Sequence, residues 1–207
     1  MNAIRARVAE SRADDRGMTL VEVVIAITIL AILSTASLGV YISGVNSAAA
    51  QQRREIAVTV ANRVLEDVIA TPPASLYSGR SQAAVVALRG LNTTVPGVNR
   101  TYDGFQAPPV ASTIAAKLTD LVTLSGTQFK VNTIIGTCFQ PKIGGSCNAV
   151  TTSSYTQPAV PATSVVLTRV IVVVRWSAGS GCGGSGCMYH SSTLIDRNSD
   201  LTWNSRD

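Results

Sequence analysis

Few side chains in this sequence have the type and spacing for chemistry. The first is Glu22, the one charge in residues 18–42, a run of 25 that is otherwise apolar or small and polar. An ionised carboxylate within a lipid-spanning helix costs about 2.5 kcal/mol or more, so it calls for a counter-ion. No Lys, Arg or His follows within two helical turns on the apolar side. The counter-ion must then come from another chain or from processing. A cut between Gly17 and Met18 would create an α-amino group four residues from Glu22. Between parallel helices offset along their axes, the amine of one chain would meet the carboxylate of the next. Each charge is then neutralised only inside an oligomer.

The second group is four cysteines, Cys138, Cys147, Cys182 and Cys187. They allow three pairings. Cys138–Cys147 and Cys182–Cys187 are favoured, because each pair brackets a Gly-rich loop, and each would add about 2–3 kcal/mol by closing it. A different pairing stays open. Zinc is the competing reading, but these spacings with His190 alone fit no closed tetrahedral set well. No metal and no other cofactor is expected. "GCGGSG", residues 181–186, matches a dinucleotide fingerprint, yet a strand follows it where a helix N-terminus should hold the pyrophosphate. It reads as a hairpin loop. There is one histidine, no G-x-S-x-G, and no pair of acids in a shared apolar setting; Asp196 and Asp200 read as solvated. No enzyme is expected.

These residues need elements to position them. The chain has 207 residues, enough for one modest core. Hydrophobic residues make up 46% and charged residues 14%, with mean hydropathy +0.27, so part of the chain should meet lipid. The net charge of +5 is scattered, which favours a solvated surface over a nucleic-acid groove. A helix over residues 18–42 would be about 37 Å long, enough to cross a hydrocarbon core of about 30 Å. Arg16 before it places the leader in the cytoplasm and the C-terminal part outside, although Arg53 and Arg54 beyond it weaken that rule. A conventional signal peptide would end in a small-x-small site; "SAAA", residues 47–50, is the nearest candidate.

After Gly44 the apolar pattern changes. Ile56, Ala57, Val60, Ala61, Val64, Leu65 and Val68 fall on one helical face. That face should bury itself on the chain's own C-terminal sheet, and Pro72 and Pro73 should end the helix. Residues 18–70 are thus expected to form one helix of about 80 Å by the usual rise. Its weak zone is residues 34–44, with two glycines and several hydroxyls.

Further on, "SQAAVVALRG" reads as a short helix with Ser81 as N-cap and Gly90 as C-cap. "STIAAKLTDLVTLSG" reads as another helix, and "NTTVPGVNRTYDGFQAPP" as loop. "TQFKVNTIIGTCF" alternates Phe129, Val131, Thr133 and Ile135 against polar partners. "SVVLTRVIVVVRWS" is the strongest strand and "MYHSSTLID" its return. The fold class expected is α+β, a long N-terminal helix packed on a small antiparallel sheet.

"RGMTLVEVVIAITILAIL" resembles the class III signal sequence of type IV pilins and pseudopilins. The family pattern is a basic leader ending in Gly, then a hydrophobic residue, Thr, Leu, any residue, Glu, and a long apolar helix. Here those positions are Gly17, Met18, Thr19, Leu20, Val21 and Glu22. The resemblance implies cleavage after Gly17 by a membrane aspartic peptidase, the prepilin peptidase, and N-methylation of Met18 by the same enzyme. It implies assembly through Thr19, Leu20 and Glu22. It also implies that residues 34–44 loosen in assembled filaments, since major pilins often carry a helix breaker near Gly39; here a glycine stands in place of the proline. The layout becomes a cleaved leader over residues 1–17, a transmembrane and assembly helix over 18–42, its amphipathic continuation over 43–71, and an extracytoplasmic pilin-like domain over 72–207.

The expected function is therefore a structural subunit of a type IV pilus, a minor pilin by its Gly-rich C-terminal half. Its partners would be the peptidase, other pilin subunits, an inner-membrane assembly platform and, before assembly, membrane lipid. A pseudopilin of type II secretion is the alternative. A tip pilin that captures a ligand or DNA is another, and DNA would need Arg80, Arg89, Arg100, Lys117, Lys130 and Lys142 to share one face.

Overall fold

The computed structural model describes residues 18–72, 75–103, 117–149, 159–177, 182 and 186–196. The chain divides into two compact units, Met1–Ala48 and Ala49–Asp207, with the boundary inside the first helix.

That helix, α1, spans Leu20–Ala70. Two structural reasons set its ends. Thr19 caps the start, and Thr71 followed by Pro72 closes the finish, since a residue before proline avoids the α region. It is helical throughout residues 34–44 in the single subunit, and the loosening expected there concerns the assembled filament. The hydroxyls of that stretch explain part of this. Ser34 Oγ donates to Leu30 O at 2.7 Å and Ser37 Oγ to Leu33 O at 2.8 Å, which satisfies each hydroxyl within the helix itself. Gly39 and Gly44 keep helical geometry with open space around them.

In the second unit the last turns of α1 bury the face expected of them. Ala57, Val60, Ala61, Leu65 and Val68 are buried, with Ile56 and Val64 half-buried beside them. They pack on Phe129, Val131, Ile135, Val170, Val172, Val174 and Trp176. Burying each large aliphatic stabilises by about 1.5–3 kcal/mol, so this face alone anchors the helix end to its sheet.

The sheet is antiparallel and has five strands among the described residues: β1 Tyr102–Asp103, β2 Thr119–Leu124, β3 Thr127–Pro141, β4 Ser164–Trp176 and β5 Cys187–Asp196. Its order is β1-β3-β4-β5, and β2 shares with β1 the outer edge of β3. The β3–β4 ladder runs from Phe129 opposite Trp176 to Pro141 opposite Ser164. Valine and isoleucine dominate β4 because both faces of the central pair are covered. The α1 cluster takes one face. Leu88, Val95 and Val98 cover Ile134, Ile171 and Val173 on the other. The alternation expected for β3 fails for this reason: Asn132 and Ile134, on the supposed polar face, are buried as well. The edge strand β5 alternates cleanly. Tyr189 and Ile195 meet the α1 cluster, whereas Met188 and Leu194 stay exposed.

Helix α2, Gln82–Gly90, supplies the second face. Ser81 caps it as expected, accepting from Ala84 N at 3.3 Å. Gly90 is not the C-cap; it is the last helical residue, and Leu91 caps in a right-handed conformation, so no glycine is required there. Residues 119–124 are strand, not helix. The two-residue loop Ser125–Gly126, both at positive φ, joins β2 to β3 as a tight hairpin. Residues 112–116 of that expected helix lie outside the described residues. The expected loop after α2 holds turns, a 3-10 helix at Val98–Arg100 and the start of β1, with residues 104–109 outside the description.

Arginines tie these pieces together. Arg80, 1% exposed, donates to Thr133 O at 2.8 Å. Arg89 donates to Thr101 O at 3.1 Å. From β4, Arg169 reaches Gly97 O at 3.3 Å and Cys147 O at 2.5 Å, and Arg175 reaches Asn92 Oδ1 at 2.5 Å and Leu91 O at 3.2 Å. Burial lowers the affinity of both β4 guanidinium groups for their proton, with Arg100 adding like-charge repulsion at Arg169. Charge-assisted bonds to carbonyls hold the loops on the sheet.

Candidate processing and assembly site

The N-terminal end of α1 gathers the residues singled out in the sequence. Met18 and Thr19 precede the helix, Leu20 begins it and Glu22 stands in its first turn. Thr19 Oγ1 accepts the Glu22 N–H at 3.3 Å, and Thr19 O accepts the Val23 N–H at 3.2 Å. Thr19 is therefore the N-cap. Thr-x-x-Glu is also the capping-box spacing, a signal present in the sequence but overshadowed by the apolar run. The first turn is where the helix dipole favours an anion, so the Glu22 carboxylate gains part of its compensation from its own backbone. Among the described residues it has no ion pair.

The apolar side chains that follow are open. Met18 is 70% exposed and Leu20 81%, and Ile25, Ile29, Leu30, Ile32 and Leu33 are exposed too. Their window has a mean hydropathy of 2.4, and none of it is buried. It is the helix among the described residues that is long and apolar enough to cross a membrane. Thr28 is the one hydroxyl between Thr19 and Ser34, and it turns inward to Val24 O at 2.8 Å. Nothing polar but Glu22 and the cap is thus offered at the start of the helix.

Residues 12–38 match the family model described as the prokaryotic N-terminal methylation motif. The chain carries the class III signal of type IV pilins. This signal spans the cap, the carboxylate and the exposed apolar face just described. No curated protein and no solved structure matches the chain. The signal marks a pilin-like or pseudopilin precursor and a structural subunit. Its position on an exposed apolar helix fits membrane anchoring followed by assembly with other pilins.

Outside the signal, Cys138 is bonded to Cys147 and Cys182 to Cys187, with Cα–Cα separations of 5.4 Å and 4.9 Å. The first closes the loop that leaves β3, and a two-way bridge between Phe139 and Asn148 reinforces it. The second sits where β4 returns as β5, next to the Trp176–Cys187 pair. Among the described residues no group of His, Cys, Asp or Glu could hold a metal. The basic face required for DNA is not assembled. Arg80 and Arg89 are buried on carbonyls, leaving Arg100, Lys117, Lys130 and Lys142 of the six exposed. Basic count in a sequence does not separate surface cations from those consumed inside.

Proposed function

We propose that this chain is a prepilin that becomes a minor pilin, a structural subunit of a type IV pilus. A prepilin peptidase removes residues 1–17 at the Gly17–Met18 bond on the cytoplasmic side and methylates the Met18 amine. The helix over residues 18–42 then holds the subunit in the inner membrane as a single span with its C-terminus outside. The subunit leaves lipid by packing this helix against other pilins at an assembly platform. Thr19, Leu20 and Glu22 form the assembly end, and the Met18 amine of a neighbouring chain neutralises Glu22.

The observation that carries this reading is the signal at residues 12–38, whose part from Leu20 onward lies on a helix with apolar side chains left uncovered among the described residues. Replacing Glu22 by Ala tests it. Leader removal should persist, while incorporation into filaments falls more than about tenfold, since the charge pair exists only in the assembly. Incorporation at the wild-type level would refute the pairing. The same signal serves pseudopilins of type II secretion. Deleting the gene distinguishes the two, because loss of surface pili supports the pilus and loss of an exported enzyme with pili intact supports the secretion machine. A DNA-binding tip role draws no support from the buried arginines.

A further inference from the structure

The cap at Thr19 has a consequence for the bond two residues before it. In an α-helix each N–H bonds the carbonyl four residues back. If α1 extended toward the leader, the Glu22 N–H would bond Met18 O and the Val21 N–H would bond Gly17 O. Gly17 carries the carbonyl that hydrolysis must attack. Water adds across the Gly17–Met18 bond, leaving a carboxylate on Gly17 and an amine on Met18. A carbonyl sealed into a helical turn cannot enter a peptidase cleft as extended chain. In the structure the Glu22 N–H goes to Thr19 Oγ1 at 3.3 Å instead, and Met18 is non-helical and exposed. Short hydroxyl side chains compete with the helix for backbone donors in this way. The matched signal, residues 12–38, independently marks this terminus as one that is processed.

We propose that Thr19 is a positioning residue for leader removal: its hydroxyl starts α1 at Leu20 and keeps Met18, the residue that follows the bond to be cut, outside the helix. The proposal rests on the prepilin reading above. In lipid or detergent, where no water takes up the freed Glu22 N–H, loss of the hydroxyl lets the helix grow over the cleavage site. The cap sets the fraction of precursor that is competent to bind, so its loss raises KM by the inverse of that fraction and leaves kcat unchanged.

The test is the rate of leader removal from the full-length precursor by a purified prepilin peptidase in detergent. Thr19→Val keeps the shape and loses the acceptor; its KM should rise about fivefold, the usual weight of a cap, with kcat unchanged. Thr19→Ser and Thr19→Asn restore an acceptor in two different shapes, and both should stay within about twofold of wild type. Cleavage of the valine variant at the wild-type rate would overturn the proposal. So would a fall in kcat at constant KM, or failure of both serine and asparagine to rescue, since either would mean that the peptidase reads threonine directly. If the wild-type precursor is not cut after Gly17 at all, the prepilin reading fails, a result distinct from any of these.

Discussion

The two parts of α1 are continuous in backbone and opposite in what they do with apolar surface. In the part that belongs to Ala49–Asp207, apolar residues keep to one face, and Ala57, Val60, Ala61, Leu65 and Val68 disappear against the sheet. In the part that belongs to Met1–Ala48, apolar residues occur all round, and all are exposed. A one-sided pattern is solved within the chain. An all-round pattern has no internal solution and is left for lipid or for other subunits. The lone carboxylate stands at the beginning of the second kind of surface, where the helix N-terminus supplies only part of its compensation.

Six variants sharpen this contrast, each followed by urea unfolding of the full chain in detergent. The largest effect belongs to Leu65→Ala, which opens a cavity under the sheet and should lower stability by about 2–5 kcal/mol. Its counterpart Leu30→Ala should change the same transition by less than about 0.5 kcal/mol, because none of the described residues covers it. Equal losses at the two positions would erase the distinction between the halves. Replacing Cys138 and Cys147 together by Ser should remove about 2–3 kcal/mol, the value of closing a short loop. Arg80→Met leaves Thr133 O without its buried donor and should cost about 2 kcal/mol, whereas Lys130→Met on the exposed side should be near neutral. Gly97→Ala should cost about 1 kcal/mol. Its φ is +91°, and an added Cβ would stand 3.3 Å from Ile171 Cδ1.

The same contrast explains how much was legible beforehand. The buried face of α1 could be read because seven apolar positions repeat with the helical period. Glu22 at the start of α1 stood out because a single charge in a long apolar run is rare and costly. The strand Thr119–Leu124 was hidden by the alanines before it, although Ser125–Gly126 is a hairpin signal in its own right. Burial on both faces of β3 was not legible, since the covering layer comes from α2 and the Val95–Val98 turn, far away in sequence. The arginine clamps were equally opaque. Their acceptors are mostly backbone carbonyls, and Arg80 reaches one 53 residues away. A backbone acceptor leaves no mark on side-chain pattern.

The measurement that bears most directly on the central claim is the intact mass and N-terminal sequence of the chain isolated from assembled filaments. The account predicts a product that begins at Met18, carries one N-methyl group and retains everything that follows. A product that still holds residues 1–17, or one that starts beyond the apolar stretch, would contradict it.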